Sequence, residues 1–398
     1  MTNAFVNVRA QRPPWCRLRA LGVSAVPALW MVAVWLAVAW AALGLASAQD
    51  VPTPVAAAQE AAPQEEVTPT EDTSCDRLAI AMGTTLRIHV DAAGGALAVS
   101  EAALAAVEAV EARLSTWRSS SELARCNEGR IEHWLPLSAA TAAELLQAQQ
   151  IAQDTDGALG IAIGALLQAY DLRGAGRWPS GAELFNAVAD VRADGWELRV
   201  DGVRRLRRGV RLDAGAFGKG AALRAARDAA LAAGARAIWL DFGGQVLLAG
   251  GQAESREIAL AHPDARNAGV LTMELASGSF ATTANSERGR LVDGRRLGHV
   301  LDPRTGKPAR DFGSLTVWSE DPLQADALST ALFVLGPDRA LAWAEHRAGV
   351  EAVVIERSAA PFPAGSSAAN SLPQLLVRAT SGMRARLRVA SGAPVHIL

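Results

Sequence analysis

Beyond residue 76, short runs with the composition of β-strands alternate with longer stretches whose apolar residues recur at helical spacing. The predicted strands are 85–90, 196–200, 209–215, 256–261, 269–275, 279–284, 314–319 and 351–356, with a strand pair over 237–250 that breaks at Gly243 and Gly244. The predicted helices are 101–117, 141–153, 219–234, 323–335 and 338–347, and another that opens near residue 180. Strands that follow strands, with helices interspersed, favour an α+β fold of mixed or antiparallel sheets packed with helices over a doubly wound fold.

Local turn and cap signals refine these elements. Thr141 with Glu144 and Ser180 with Glu183 carry the Ser/Thr-x-x-Glu pattern of a capping box at a helix start. An Asp-Gly pair at 201–202 predicts a turn that joins strands 196–200 and 209–215. The tail, residues 358–398, is rich in Ser, Ala and Pro and then basic, and no element is predicted there.

The N-terminal segment predicts export. Arginines at 9, 12, 17 and 19 precede an apolar run with no charge before Asp50, and Ala46-Ser47-Ala48 offers a small-x-small cleavage site. The run is also long enough to span a bilayer, so residues 1–48 are either a signal peptide or a retained membrane anchor. Both alternatives place the following chain outside the cytoplasm, in the periplasm or anchored to the inner membrane and facing it. Residues 49–75, rich in Pro, Ala and Glu, predict a disordered linker.

Composition narrows the function further. The formal net charge of -2 and the absence of a basic stripe argue against a nucleic-acid partner. Two cysteines follow the N-terminal segment, Cys75 at the end of the linker and Cys126 beyond it, and in an oxidising compartment they either pair or stay free.

Lysine is rare in this chain, and one lysine lies in a glycine loop. Only Lys219 and Lys307 occur, and the segment "LDAGAFGKGAALRAA", 212–226, places Lys219 where a strand gives way to a helix. Backbone amides at a helix start, together with an ammonium, suit a phosphate or another anion. The alternative is a glycine-bearing turn with a solvated lysine.

Two oxygen side chains lie one helical turn apart in "QADALSTALFVLG", 324–336. Asp326 and Thr330 share one face of the predicted helix. A carboxylate and a hydroxyl suit Mg²⁺, which completes its shell with carbonyls, water or substrate phosphate. The alternative is a surface or capping Asp and a Thr that bonds to its own helix.

The loop "HVLDPRTGKPA", 299–309, contains a candidate base. His299 precedes Asp302 by three residues, and a carboxylate nearby could orient the imidazole as a general base. A structural turn with a satisfied histidine explains the same residues. Taken together, a phosphate cradle, a hard-metal pair and a base suit phosphoryl-type transfer from a nucleotide.

These segments resemble the FAD:protein FMN transferases of the ApbE family over about residues 79–357. The resemblance rests on six ordered motifs: "AMGTTLRI", "RLSTWRSSSELARCNE", "LDAGAFGKG", "LDFGGQVLLAG", "GHVLDPRTGKPA" and "QADALSTALFVLG". It implies that FAD is bound with Mg²⁺ and that FMN is transferred to a Thr hydroxyl of an exported partner, with release of AMP.

The resemblance also assigns roles to residues of this chain. It implies that Asp326 and Thr330 bind the metal through their side chains and Ala216 through its carbonyl. It places Asn127, Lys219 and Asp302 in the FAD site, and it makes His299 the base that activates the incoming hydroxyl.

Three departures from the family pattern bear on the fit of the flavin nucleotide. Arg224 stands where the family has Asp, "ATTA" at 281–284 lacks the glycine of a turn, and "DGALGIA" at 156–162 lacks an aromatic residue and a second Asp. These departures leave open an exported FAD-binding protein without turnover. The resemblance itself also covers a Mg²⁺-dependent FAD pyrophosphatase, in which water attacks in place of Thr and the products are FMN and AMP.

Overall fold

The computed structural model describes residues 72–285, 289–358, 374–393 and 395–398. The predicted signal peptide or anchor, residues 1–48, and the predicted linker up to residue 71 lie outside the described residues. Within the described ranges, no helix has the length and apolar character needed to cross a membrane.

Helices and strands alternate through the described chain. The helices are α1 (Ala96–Leu114), α2 (Glu122–Glu128), α3 (Ala139–Asp154), α4 (Gly164–Ala169), α5 (Gly181–Val191), α6 (Gly218–Ala232), α7 (Pro322–Leu335), α8 (Pro337–Glu345) and α9 (Ser381–Arg384). The strands are β1 (Ser74–Ala81), β2 (Thr84–Ala92), β3 (Trp134–Pro136), β4 (Trp196–Arg199), β5 (Gly202–Arg205), β6 (Ala235–Phe242), β7 (Gln245–Ala249), β8 (Arg256–His262), β9 (Ala265–Leu275), β10 (Gly278–Ala284), β11 (Arg290–Val292), β12 (Arg295–Leu297), β13 (Gly313–Ser319), β14 (Val350–Arg357), β15 (Leu375–Ala379), β16 (Arg388–Val389) and β17 (Val395–Ile397).

A nine-stranded sheet forms the centre of the fold, in the order β1-β2-β6-β7-β10-β13-β14-β15-β17. Its neighbouring strands are antiparallel, except that β15 and β17 run parallel. Smaller sheets have the orders β16-β9-β8, β3-β5-β4 and β11-β12. The predicted α+β fold with mixed and antiparallel sheets is confirmed.

The main sheet is covered by helices on one face and partly covered by other strands on the other face. One face packs against α1, α6 and α7 in a core that includes Leu86, Ile238, Leu223 and Leu328. The β8–β9 pair covers part of the other face through a second cluster that includes Leu271 and Ile355. A third cluster joins α4 and α5 to the segment that follows β12.

Several local predictions are confirmed. Gly243 and Gly244, with φ of 60° and 90°, form the tight turn between β6 and β7. Glycine tolerates these positive angles because it has no Cβ. The capping box at Ser180 and Glu183 is present at the start of α5.

Other boundaries differ from the prediction. Helix α3 is capped by Ser138, whose hydroxyl accepts a hydrogen bond from the Thr141 amide, so Thr141 is not the cap. Helix α1 begins at Ala96 and ends at Leu114, both earlier than the predicted 101–117. Its first turn buries Ala96 and Val99, which the prediction left outside the helix. The predicted strand at 209–215 is wrong, since β4 pairs with β5 instead.

The chain ends contribute more structure than predicted. Strand β1 includes Ser74 and Cys75, which were predicted to belong to the linker. In the tail, β15 extends the main sheet next to β14, and β16 pairs with β9. Cys75 and Cys126 are free thiols, and burial raises the pKa of Cys126 to about 11.

Candidate active site

The start of α6 lies against the start of α7. A Cβ on Gly220 would come within 2.2 Å of the Pro322 carbonyl oxygen, so only glycine permits this approach. The approach allows the Gly220 amide to donate a hydrogen bond of 2.9 Å to Oδ2 of Asp326. The glycine loop and the predicted metal helix are therefore brought together.

Asp326 also binds the lysine of the glycine loop. Its Oδ1 lies 2.9 Å from Nζ of Lys219, and the Asp326 side chain is only 5% exposed whereas that of Lys219 is 30% exposed. The ammonium and the Gly220 amide thus provide this buried carboxylate with partners on both of its oxygens. The pair joins two of the predicted site residues that are 107 positions apart.

Thr330 follows Asp326 on α7, and Ala216 lies just before the start of α6. Thr330 is half-buried one turn beyond Asp326, and its hydroxyl lies 3.5 Å from the Asp326 carbonyl oxygen. At the start of α6, Ala214 accepts from Gly218, and Phe217 accepts from Ala221. In a regular helical turn the Gly220 amide would donate to the Ala216 carbonyl, but here it donates to the Asp326 carboxylate instead.

These three residues form a set of oxygen donors. A carboxylate, a hydroxyl and a backbone carbonyl are the ligand types that Mg²⁺ prefers, and substrate phosphates commonly complete its shell. The residues present therefore fit the ion that the family resemblance implies.

Asn127 is buried and positions the glycine loop. Its Oδ1 accepts a hydrogen bond of 2.7 Å from the Leu212 amide, and its Nδ2 donates one of 2.8 Å to the Leu212 carbonyl. Both polar atoms of the Asn127 amide are engaged in this way, so Asn127 holds the segment that leads into the glycine loop.

Asp213 follows Leu212 and was not among the predicted site residues. Its Oδ1 accepts from the Gly215 amide at 2.8 Å, and its Oδ2 forms a close ion pair with Arg173. Arg173 also donates to the Thr116 hydroxyl at 2.6 Å and stacks on the exposed Trp117 ring, 4.9 Å from its centre. The sequence signal for Asp213 was its position inside the "LDAGAFGKG" motif, but Arg173 had none.

His299 lies half-buried after β12, in a loop that a buried asparagine supports. Asn285 accepts from the Val300 amide at 3.1 Å and donates to the Ala309 carbonyl at 3.4 Å. It thereby ties Ala309, at the end of the loop, to Val300, the residue that follows His299. Sequence reasoning missed Asn285, although it directly follows the "ATTA" segment.

The Asp302 carboxylate forms an ion pair with Arg304. Both of its oxygens accept from the guanidinium, at 2.8 and 2.9 Å, and Oδ1 also accepts from the Arg304 amide. Hydrogen bonding to Asp302 raises the pKa of Arg304 above its usual value. Lys307, the second lysine, is exposed in this loop.

The charge reversal at residue 224 is compensated within the protein. Arg224 donates to Asp321 through Nε at 2.9 Å and to Oε1 of Gln147 at 2.7 Å. Asp321 is also the N-cap of α7. The guanidinium therefore pairs with the carboxylate that caps α7.

The other two departures lie in packed segments. Leu159 is buried where the family has an aromatic residue. A Cβ on Gly160 would come within 2.9 Å of Pro303 in the His299 loop, so the glycine permits this contact. Ala284, in place of the turn glycine, is buried at the end of β10 and pairs with Ser314.

Comparison with known proteins supports the family resemblance. Residues 82–354 match the model of the ApbE family. The chain is 27% identical over 281 residues to the FAD:protein FMN transferase of Haemophilus influenzae, a match that covers 66% of this chain and 81% of that protein. It is 26% identical over 246 residues to the FAD:protein FMN transferase of Escherichia coli K12, covering 59% of this chain and 70% of that protein.

Solved structures of ApbE proteins are also similar to this chain. The ApbE protein of Thermotoga maritima superposes with a TM-score of 0.65 at 29% identity, over 70% of this chain and 93% of that chain. The flavin transferase ApbE of Vibrio cholerae gives a TM-score of 0.67 at 22% identity, over 79% of this chain and 99% of that chain, which shows a shared fold. The predictions of the family and of a transferase are confirmed.

Proposed function

Since the chain belongs to the ApbE family, we propose that it transfers FMN from FAD to a threonine hydroxyl of an exported partner protein and releases AMP. One observation carries the proposal: an ammonium and a helix-start amide converge on buried Asp326, next to Thr330. Such a site suits a diphosphate and a hard cation.

The substrate chemistry assigns a task to each residue. FAD contains a diphosphate, and the amides at the start of α6 together with Lys219 would bind its negative charge. The loop that Asn127 and Asp213 hold in place keeps those amides aligned. Trp117 and Arg173 lie at the exposed side of the same loop.

Asp326, Thr330 and the Ala216 carbonyl would hold Mg²⁺. When bound, the ion would neutralise charge on the diphosphate and on the oxygen that leaves with AMP. Its remaining ligands would come from FAD phosphate and water.

The transfer step requires a base. The threonine oxygen forms a bond to the phosphorus on the FMN side, the bond from that phosphorus to the bridging oxygen breaks, and AMP leaves with the bridging oxygen. We assign His299 as the group that takes the hydroxyl proton, since a histidine commonly acts as base near neutral pH. The Asn285 clamp holds the segment that carries His299.

Two alternatives use the same site. With water as the attacking group, the products are free FMN and AMP; without turnover, the protein is a carrier of FAD. Incubation of the purified protein with FAD and Mg²⁺, with and without an acceptor protein that bears the target threonine, separates the three. Covalent FMN on the acceptor with one AMP for each transfer supports the proposal, whereas AMP without covalent flavin supports hydrolysis. If AMP is released under neither condition, the result supports a protein that binds FAD without turnover.

The exported location is a separate part of the proposal and rests on the arginine-flanked apolar segment. A fusion of residues 1–80 to alkaline phosphatase, which folds only outside the cytoplasm, should be active. A well-expressed but inactive fusion would contradict export.

A further inference from the structure

Both oxygens of Asp326 are engaged, but by groups of different mobility. The Gly220 amide on Oδ2 belongs to a helix start that is packed tightly against Pro322. The Lys219 ammonium on Oδ1 ends a flexible side chain that is 30% exposed. One contact is therefore fixed by the fold, and the other can be exchanged.

We propose that Lys219 is a positioning residue that leaves Asp326 when FAD binds and pairs with the FAD diphosphate instead. This exchange of partners couples metal binding to FAD binding. The inference rests on the proposed function, because it uses the same metal and the same substrate. It adds the order in which they bind: FAD first, or both together, but the metal alone only weakly.

The physical basis is competition for one carboxylate. A divalent cation on Asp326 would lie close to the Lys219 ammonium, and like charges at such a distance repel each other strongly in a partly buried site. The diphosphate offers the ammonium another anionic partner. Once Lys219 has moved to it, Oδ1 is available to the metal and the repulsion is replaced by attraction to phosphate.

A purely structural ion pair between α6 and α7 is the competing explanation. It predicts that removal of Lys219 lowers stability, and it predicts no gain in metal affinity. The exchange predicts such a gain, because a neutral residue 219 no longer competes for Asp326.

The test measures Mn²⁺ binding to the full chain from the electron paramagnetic resonance signal of free Mn²⁺, without acceptor protein. Four variants are compared with the parent, each with and without FAD. Lys219→Met and Lys219→Gln are neutral, Lys219→Arg keeps the charge, and Lys307→Met is the matched control at the other lysine. Thermal unfolding verifies that each is folded.

In the parent, FAD should tighten Mn²⁺ binding by roughly 5- to 150-fold, the usual range for coupled sites, and Mn²⁺ should tighten FAD binding by the same factor. The neutral variants should bind Mn²⁺ about ten-fold more tightly than the parent without FAD, and should show a correspondingly smaller effect of FAD. Lys219→Arg and Lys307→Met should resemble the parent without FAD.

Unchanged or weaker Mn²⁺ binding by a folded neutral variant without FAD would overturn the exchange. If the parent binds Mn²⁺ equally well with and without FAD, the exchange is also overturned, whatever the variants do. A parent that shows the coupling but transfers no FMN would contradict the proposed function and leave the exchange supported. A parent that binds no Mn²⁺ under either condition would contradict both.

Discussion

Asn127 and Leu212 are 85 positions apart in the chain, and the side-chain amide of Asn127 pairs with both backbone polar groups of Leu212. The pairing is buried, so water cannot replace it. It fixes the segment that leads into the glycine loop of the candidate site, and the loop geometry therefore depends on a residue from another part of the fold.

Asn127→Ala should lower both stability and FAD affinity. It leaves a buried amide and a buried carbonyl of Leu212 unsatisfied, which costs about 2–4 kcal/mol of unfolding free energy. Urea unfolding and FAD titration measure the two effects. The control, Asn186→Ala, changes an exposed asparagine of α5 and should stay within about 0.5 kcal/mol of the parent. Parent-like stability of Asn127→Ala would show that the loop does not need this pairing.

His299→Ala should retain FAD binding and lose transfer by roughly 10²–10⁴-fold, the usual effect of removing a general base. Rates of covalent flavin formation and FAD titration give the two quantities separately. His133→Ala, at an exposed histidine, serves as the control and should transfer at the parent rate. If His299→Ala also transfers at that rate, the base is another group. If it loses FAD binding as well, the role of His299 is structural.

Changes at the two side chains proposed to bind the metal, Asp326 and Thr330, should produce graded defects. Asp326→Asn keeps the shape of the side chain but removes its charge, so AMP release from FAD should be lost at ordinary Mg²⁺ concentrations. Thr330→Val removes a neutral oxygen, and its milder defect should be partly rescued by high Mg²⁺ or Mn²⁺. The measurement is AMP release across a metal titration. Full activity of the parent in EDTA would refute the metal assignment.

Arg224→Asp introduces the residue that the family has at this position and should destabilise the protein. The new carboxylate would face Asp321, which now accepts from Arg224, and two partly exposed like charges should cost roughly 1–2 kcal/mol. FAD affinity should stay within about two-fold of the parent, because Arg224 is directed to the cap of α7. Urea unfolding and FAD titration provide the measurements.

The control for this variant is Arg339→Asp, whose arginine is 56% exposed and pairs with an exposed Asp156. It should cost less stability than Arg224→Asp. A large gain in FAD affinity on Arg224→Asp would instead place residue 224 in the nucleotide site.

Short-range features of this protein were determined by the sequence. The glycine turn at 243–244, the capping box of α5 and most strands and helices follow from neighbouring residues, because turn chemistry and apolar periodicity act over a few positions. The motifs also indicated Lys219 and Asp326 separately as candidate site residues. Local pattern failed at 209–215, where apolar residues suggested a strand but the backbone pairs with Asn127 and with the 161–164 segment.

Only the tertiary structure decided which distant groups meet. The pairing of Lys219 with Asp326, the clamp of Asn127 on Leu212, the ion pair of Arg173 with Asp213 and the direction of Arg224 toward Asp321 all join segments 40 or more positions apart. The sheet order and the close packing of α6 on α7 bring these segments together. The sequence specifies the chemistry of each side chain. Which partner a charged side chain meets depends on tertiary packing, and the local spacing of residues does not determine that packing.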